Sequence, residues 1–163
     1  MNNYKKLTYG GLIGALVFLG TWIIKIPNIM GYGYLNAGDG VILMSTIILG
    51  PYAAIPAAIG SSLADFAAGF PFYIPFTFVI KGLMAWLAAT ILKGKTPTVA
   101  KMIFAFILSE VIMVGGYFLT EMYLYSLGGA LASVLGNLTQ AFFGIALGLF
   151  GSVMILRSKI KRF

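Results

Sequence analysis

The sequence predicts an all-α integral membrane protein of six transmembrane helices with both termini cytoplasmic. Three observations predict it. Hydrophobic residues make up 60% of the 163 residues and charged residues only 9%, where an ordinary globular domain is about half apolar and about a quarter charged. The apolar residues are gathered in runs close to the roughly 20 residues that a helix needs to cross hydrocarbon. Lys and Arg, which leave a net charge of +7, cluster between those runs, as cytoplasmic loops do. So few charges cannot cover so much apolar surface, and lipid can. The length accommodates about six spans with short connections, so a single membrane domain over residues 1–163 is expected, with no room for a separate soluble domain.

The first apolar run is Leu7 to Ile26. Lys5 and Lys6 before it also fit a cleaved signal peptide, but Leu7–Ile24 is long for a signal core and no small-residue cleavage site follows. The next segment, Pro27 to Gly38, is rich in Gly, Tyr and Asn and carries no helical stripe, which predicts an ordered loop. Asp39 to Ala68 is apolar but interrupted by Gly50-Pro51, a pair that ends one helix and opens another. Further runs follow at Pro75–Leu92, Met102–Tyr125 and Ser133–Leu156, with a basic loop at Lys93–Lys101 and a basic tail at Arg157–Phe163.

Charge parity decides whether Asp39–Ala68 is one helix or two. The basic clusters at the amino terminus, at Lys93–Lys101 and in the tail should all face the cytoplasm. An even number of crossings must separate the first two. Leu7–Ile26 and Pro75–Leu92 supply two, so Asp39–Ala68 must supply two more and turn at Gly50-Pro51 on the cytoplasmic side. The second helix is then only about 13 residues, or about 20 Å at 1.5 Å per residue. Connectors Pro27–Gly38, Gly69–Ile74 and Ser126–Ala132 fall outside.

Composition excludes several functions. There is no Cys and no His, so neither a disulfide framework nor a soft metal site is expected. The charges follow topology, which argues against a nucleic-acid partner. No phosphate-binding glycine loop ending in Lys-Ser/Thr is present, so the chain is not expected to be an enzyme or to carry a cofactor, and nucleotide-driven work would need a separate ATPase.

Intramembrane charges are costly and mark cavities or partners. All four acids lie in or at the ends of spans. Asp39 opens the second helix, where it is expected either to cap the helix or to serve a site. Asp65 closes the third, and Lys81 lies at similar depth in the fourth, which predicts an ion pair between them. Glu110 and Glu121 share a face of the fifth helix, being about three turns apart. A carboxyl at the depth of Glu110 must be protonated, paired or facing water. Asn137, Thr139 and Gln140 are expected in the first two turns of the last helix, where amides suit interhelical bonding or recognition of a polar heterocycle. The polar residues thus converge on the outer half of the molecule. That pattern predicts a pocket opening outward and excludes a continuous polar path. Gly10, Gly11, Gly14 and Ala15 give the first helix two small-xxx-small pairs that let another helix approach.

Tyr34-Leu-Asn-Ala-Gly-Asp39, Gly50-Pro51, Asp65-Phe-Ala-Ala-Gly69, Pro75 and Lys81-Gly82 together resemble the substrate-binding S component of energy-coupling factor transporters, in the group containing riboflavin-type and related vitamin carriers. The resemblance implies a subunit that captures a vitamin or precursor at the outer face of a bacterial plasma membrane. It implies partners too: a transmembrane coupling subunit carrying two cytoplasmic ATPases, onto which the S component docks before toppling to release its ligand inside. It places the pocket in the first outer loop and helices 4 to 6, here Tyr34, Asn36, Lys81, Tyr117, Glu121, Asn137 and Gln140. It places docking on helix 1, here Gly10, Gly11, Gly14 and Ala15, with glycines largely replacing the family's Ala-xxx-Ala.

A pocket of carboxylates, amides and Tyr suits a small substituted pyrimidine or pyridine, such as hydroxymethylpyrimidine or a vitamin B6 form, because a carboxylate pairs with an aminopyrimidine edge and Tyr stacks on the ring. Riboflavin is the alternative ligand. Two other classes compete: a structural subunit whose acids only pair helices, and a solitary proton-coupled carrier using Glu110.

Overall fold

The structure, a computed structural model, describes residues 3–23, 25–27 and 34–158. Its helices are α1 (Asn3–Trp22), α2 (Gly38–Leu49), α3 (Ala54–Ala67), α4 (Ile74–Leu92), α5 (Val99–Leu124) and α6 (Leu127–Arg157). Short 3-10 turns at Gly50–Ala53 and Pro71–Tyr73 lead into α3 and α4. Two three-residue strands, β1 (Lys25–Pro27) and β2 (Tyr34–Asn36), pair antiparallel with Ile26 opposite Leu35.

Local chemistry sets the boundaries. Gly50 adopts φ 55°, a conformation cheap only for glycine, and Pro51 follows in the first turn of the 3-10 helix. Pro75 likewise sits in the first turn of α4, where its missing N–H costs nothing. Thr98 caps α5 by accepting from the Lys101 N–H at 3.3 Å, and Ser126 caps α6 by accepting from the Gly129 N–H at 3.2 Å.

Close approaches at small residues fix the helix directions. Gly10 lies against Tyr52, Gly14 against Pro56, and Gly60 against the Gly14 carbonyl and Val17, so α1 and α3 run the same way. Gly20 abuts Gly38 and Val41, so α2 runs against α1. Gly144 meets Asp39, Gly148 meets Leu43 and Gly151 meets Met44, so α6 runs with α2. Successive helices therefore alternate in direction. Their contacts close a ring in the order α1–α3–α4–α5–α6–α2. Leu43, Ile47, Met84, Met102, Phe106 and Met113 fill one core, while Ile13, Val17, Ile42, Leu49, Ala57 and Ala85 fill a second beside α1.

The outer face is apolar: Phe66, Phe142 and Phe150 are each about two-thirds exposed or more. Four helical stretches are long and apolar enough to cross a membrane, Gly38–Ala67, Pro71–Leu92, Val99–Leu124 and Leu127–Arg157. The chain is a multi-pass membrane protein. The first of those stretches reverses at Gly50, because α2 and α3 run in opposite directions. The Gly50-Pro51 corner and the Lys93–Thr96 loop line one recess and so share one end of the bundle.

The structure departs from the sequence expectations at four places. The first helix ends at Trp22, not Ile26: Lys25 and Ile26, expected in that helix, belong to β1, which pairs with β2 in the stretch expected as a loop. Ser126–Ala132 is not a connector: the Ser126 cap lets α6 start at Leu127, and packing outweighs the low helix propensity of Gly128 and Gly129. Asp39 is not the cap of α2, whose N-cap is Ala37. The Gly38 N–H is instead met by Asn36 Oδ1 at 2.9 Å. Finally, Lys81 pairs with Asp39 and not with Asp65.

Candidate substrate-binding site

At the end of the bundle away from the basic loop, polar side chains line a partly open cavity of about 50 Å³. Its lining comes from α1, α3, the α4 segment, α5, α6 and β2, whereas α2 contributes none among the described residues. Tyr73, Thr77 and Lys81 stand at spacings of four residues on one face of the α4 segment, as helical geometry dictates. Tyr117 and Glu121 repeat that spacing on α5, and Asn137 and Gln140 face inward from α6. Asn36 closes the side nearest β2.

A buried hydrogen-bond chain holds this lining in place. Asn36 Nδ2 donates to Gln140 Oε1 at 3.1 Å, and Gln140 Nε2 donates to Asp39 Oδ2 at 2.6 Å. The Lys81 ammonium donates to the other Asp39 oxygen. Asp39 and Lys81 are both buried, so the pair is shielded from water and each charge depends on the other. One carboxylate thereby fixes two cavity residues on two helices and, through Gln140, ties in Asn36. Lys81 Nζ also lies 5.3 Å from the centre of the Tyr117 ring, within cation–π range. The Tyr117 hydroxyl shares a 3.0 Å hydrogen bond with Thr77, and Ser133 donates to Glu121. Tyr73 sits beside Tyr117 with ring centres 6.3 Å apart, so two phenol rings and Phe70 supply flat surface to the cavity.

Six of the seven residues expected in the pocket line this cavity: Asn36, Lys81, Tyr117, Glu121, Asn137 and Gln140. The seventh, Tyr34, pairs its backbone with Pro27, and its side chain lies outside the described residues. Asn137 and Gln140 stand about three turns inside α6 rather than in its first two turns, because the helix starts earlier. Thr139 turns away and donates to the Leu135 carbonyl at 2.8 Å. Glu110 is buried beside Gly144 and is not part of the lining; neither of its oxygens has a hydrogen-bond partner among the described residues.

Sequence reasoning missed Thr21, Ser61, Phe70, Tyr73 and Thr77 as lining, and assigned Asp65 only to an ion pair. A signal for part of this was present: the four-residue steps Tyr73–Thr77–Lys81 and Ser61–Asp65 put polar groups on one face of otherwise apolar helices. Nothing in the sequence singled out Thr21.

The four small residues of α1 divide between two faces. Gly10 is buried under Tyr52 and Gly14 packs on Pro56, whereas Gly11 and Ala15 are exposed, with nothing among the described residues within 4 Å of a Cβ at Gly11. All four border an apolar groove between α1 and α3.

A helical bundle with an apolar outer face and a partly open polar cavity at one end fits a membrane transport subunit. The chain belongs to the S components of ECF-type riboflavin transporters, whose family model matches residues 1–155. It is 34% identical over 161 residues to the thiamine precursor transporter HmpT of Lactococcus lactis subsp. cremoris (strain MG1363), covering 97% of this chain and 92% of that protein. It is also 34% identical over 141 residues to an uncharacterized protein in gap 3'region of Pyrococcus woesei, covering 86% of this chain and 93% of that one. The protein is thus a transporter S component serving vitamin uptake.

Proposed function

We propose that the cavity binds hydroxymethylpyrimidine, or failing that a vitamin B6 form, at the outer face of a bacterial plasma membrane. The observation that carries this reading is that Glu121 and Asn137 line one small cavity together with the neighbouring rings of Tyr73 and Tyr117. A carboxylate accepts from an exocyclic amine, and Asn137 Nδ2, which is buried without a partner among the described residues, donates to a ring nitrogen. Tyr117 and Tyr73 cover the ring faces. The HmpT likeness supports a thiamine precursor as the ligand class.

Riboflavin is the second reading, favoured by the family's own description. A three-ring flavin with its ribityl chain demands far more room than about 50 Å³, whereas a single ring demands less rearrangement.

In this reading all six helices cross the membrane as one domain with both termini cytoplasmic. The alternating helix directions and the shared end of the Gly50 corner and the basic loop support that topology. Delivery to the inside is assigned to a transmembrane coupling subunit and two ATPases, which dock on the α1 face bearing Gly11 and Ala15, with Gly10 and Gly14 holding α1 close to α3.

Calorimetric titration of the purified protein tests the ligand. Saturable binding of hydroxymethylpyrimidine, with weaker binding of pyridoxine and riboflavin, is expected. Saturable riboflavin binding without any response to pyrimidine or pyridine would overturn the choice.

A further inference from the structure

Helical Ser and Thr side chains in this protein mostly bond back to their own helix. Ser45 and Thr46 donate to carbonyls three residues earlier, and Ser109 and Thr120 to carbonyls four residues earlier. This is the usual way a hydroxyl is satisfied in an apolar helix. Thr21 of α1 and Ser61 of α3 do not. Thr21 is 4% exposed and Ser61 1% exposed, and neither hydroxyl has a hydrogen-bond partner among the described residues. Both line the cavity. Asp65, one turn beyond Ser61, lines the same wall and is also buried.

Leaving a buried hydroxyl unpaired is destabilising, and two on one wall of one cavity call for a shared partner. In the ring of helices, α1 and α3 stand across from α5 and α6, which carry Glu121 and Asn137. The cavity therefore has polar groups on two opposed walls, with Tyr73, Thr77 and Lys81 of the α4 segment between them.

We propose that Thr21 and Ser61, flanked by Asp65, form a second subsite that takes a hydroxyl-bearing substituent of the ligand. Each protein hydroxyl either donates to the ligand oxygen or accepts from its proton, and the Asp65 carboxylate offers a further acceptor. This deepens the proposed function by naming the substituent that the ligand must project away from the Glu121 wall.

The test compares two probes that differ only in that hydroxyl: 4-amino-5-hydroxymethyl-2-methylpyrimidine and 4-amino-2,5-dimethylpyrimidine. Wild-type protein is expected to prefer the hydroxylated probe by roughly tenfold, about the value of one net hydrogen bond. Ser61→Ala and, separately, Thr21→Val should bring the ratio between the probes towards one, with thermal unfolding in detergent confirming that each variant is folded. A wild type that does not discriminate, or variants that weaken both probes alike, would overturn the subsite. Riboflavin against lumichrome forms a second pair. If only the flavin pair binds and shows the same loss of discrimination, the subsite stands and the pyrimidine reading falls. Binding by none of the four probes overturns both.

Discussion

Lys81 of α4 and Asp39 of α2 form a buried ion pair, and the second oxygen of that carboxylate accepts from Gln140 of α6. One acid therefore anchors three helices at the level of the cavity. Truncating either partner leaves the other charge buried and uncompensated. Asp39→Ala or Lys81→Ala should each destabilise the protein by about 3–5 kcal/mol. The double variant Asp39→Leu/Lys81→Met should be milder than the sum of the single changes. Thermal unfolding in detergent, arranged as a double-mutant cycle, measures the coupling, and strict additivity would contradict the pairing.

The contact between α2 and α6 leaves no room for a side chain at Gly40. A Cβ there would stand 2.6 Å from Leu147 Cδ2 and 2.7 Å from Leu147 Cβ. Gly40→Ala should cost about 1–3 kcal/mol through overpacking. Gly11→Ala meets open space and should be neutral, or stabilise by up to about 1 kcal/mol from helix propensity. The ranking of the two melting temperatures checks both statements.

On the face of α1, Gly11 and Ala15 are exposed and Gly14 is packed on Pro56. Gly11→Leu and Ala15→Leu should weaken copurification with the transmembrane coupling subunit. Gly14→Leu should instead lower stability, because it pushes α1 off α3. Copurification that survives both Gly11→Leu and Ala15→Leu would reject this face as the docking surface.

Glu121 lines the cavity and accepts a hydrogen bond from Ser133. Replacing it removes a charge-assisted hydrogen bond, a loss of about 1.5–3 kcal/mol. Glu121→Gln should weaken hydroxymethylpyrimidine binding by roughly 10- to 100-fold by that measure, and Asn137→Ala by less. Titration of purified variants reads the effect. Unchanged affinity in both would move the ligand's amino edge elsewhere.

The α-helical class and the reversal at Gly50-Pro51 were legible from run lengths and charge placement, both one-dimensional properties. Most of the cavity lining on α4, α5 and α6 was legible for a related reason: polar residues at four-residue steps share a helix face. On α3 the Ser61–Asp65 step carried the same signal, but Thr21 on α1 looks like an ordinary helical hydroxyl until its partners are counted.

The pairing of Lys81 shows where the sequence stops. Asp39 and Asp65 lie at similar depth, and sequence assigns depth but not angular position around a bundle. Ring order alone would favour Asp65, since α3 is the neighbour of α4; Asp39 is selected because α2 also packs across the ring onto α4 and Lys81 turns towards it. The two faces of α1 follow the same rule, because four small residues in one turn and a half offer two registers. The start of α6 was hidden differently: Gly128 and Gly129 argue locally for a loop, and tertiary packing overrules them. By itself the sequence determined the solvent, lipid, and the end of the molecule that carries polar chemistry, because burial and charge follow chain position. The tertiary structure alone decided which acid meets which base and which glycine faces outward, because those depend on rotation about helix axes, and packing sets that rotation.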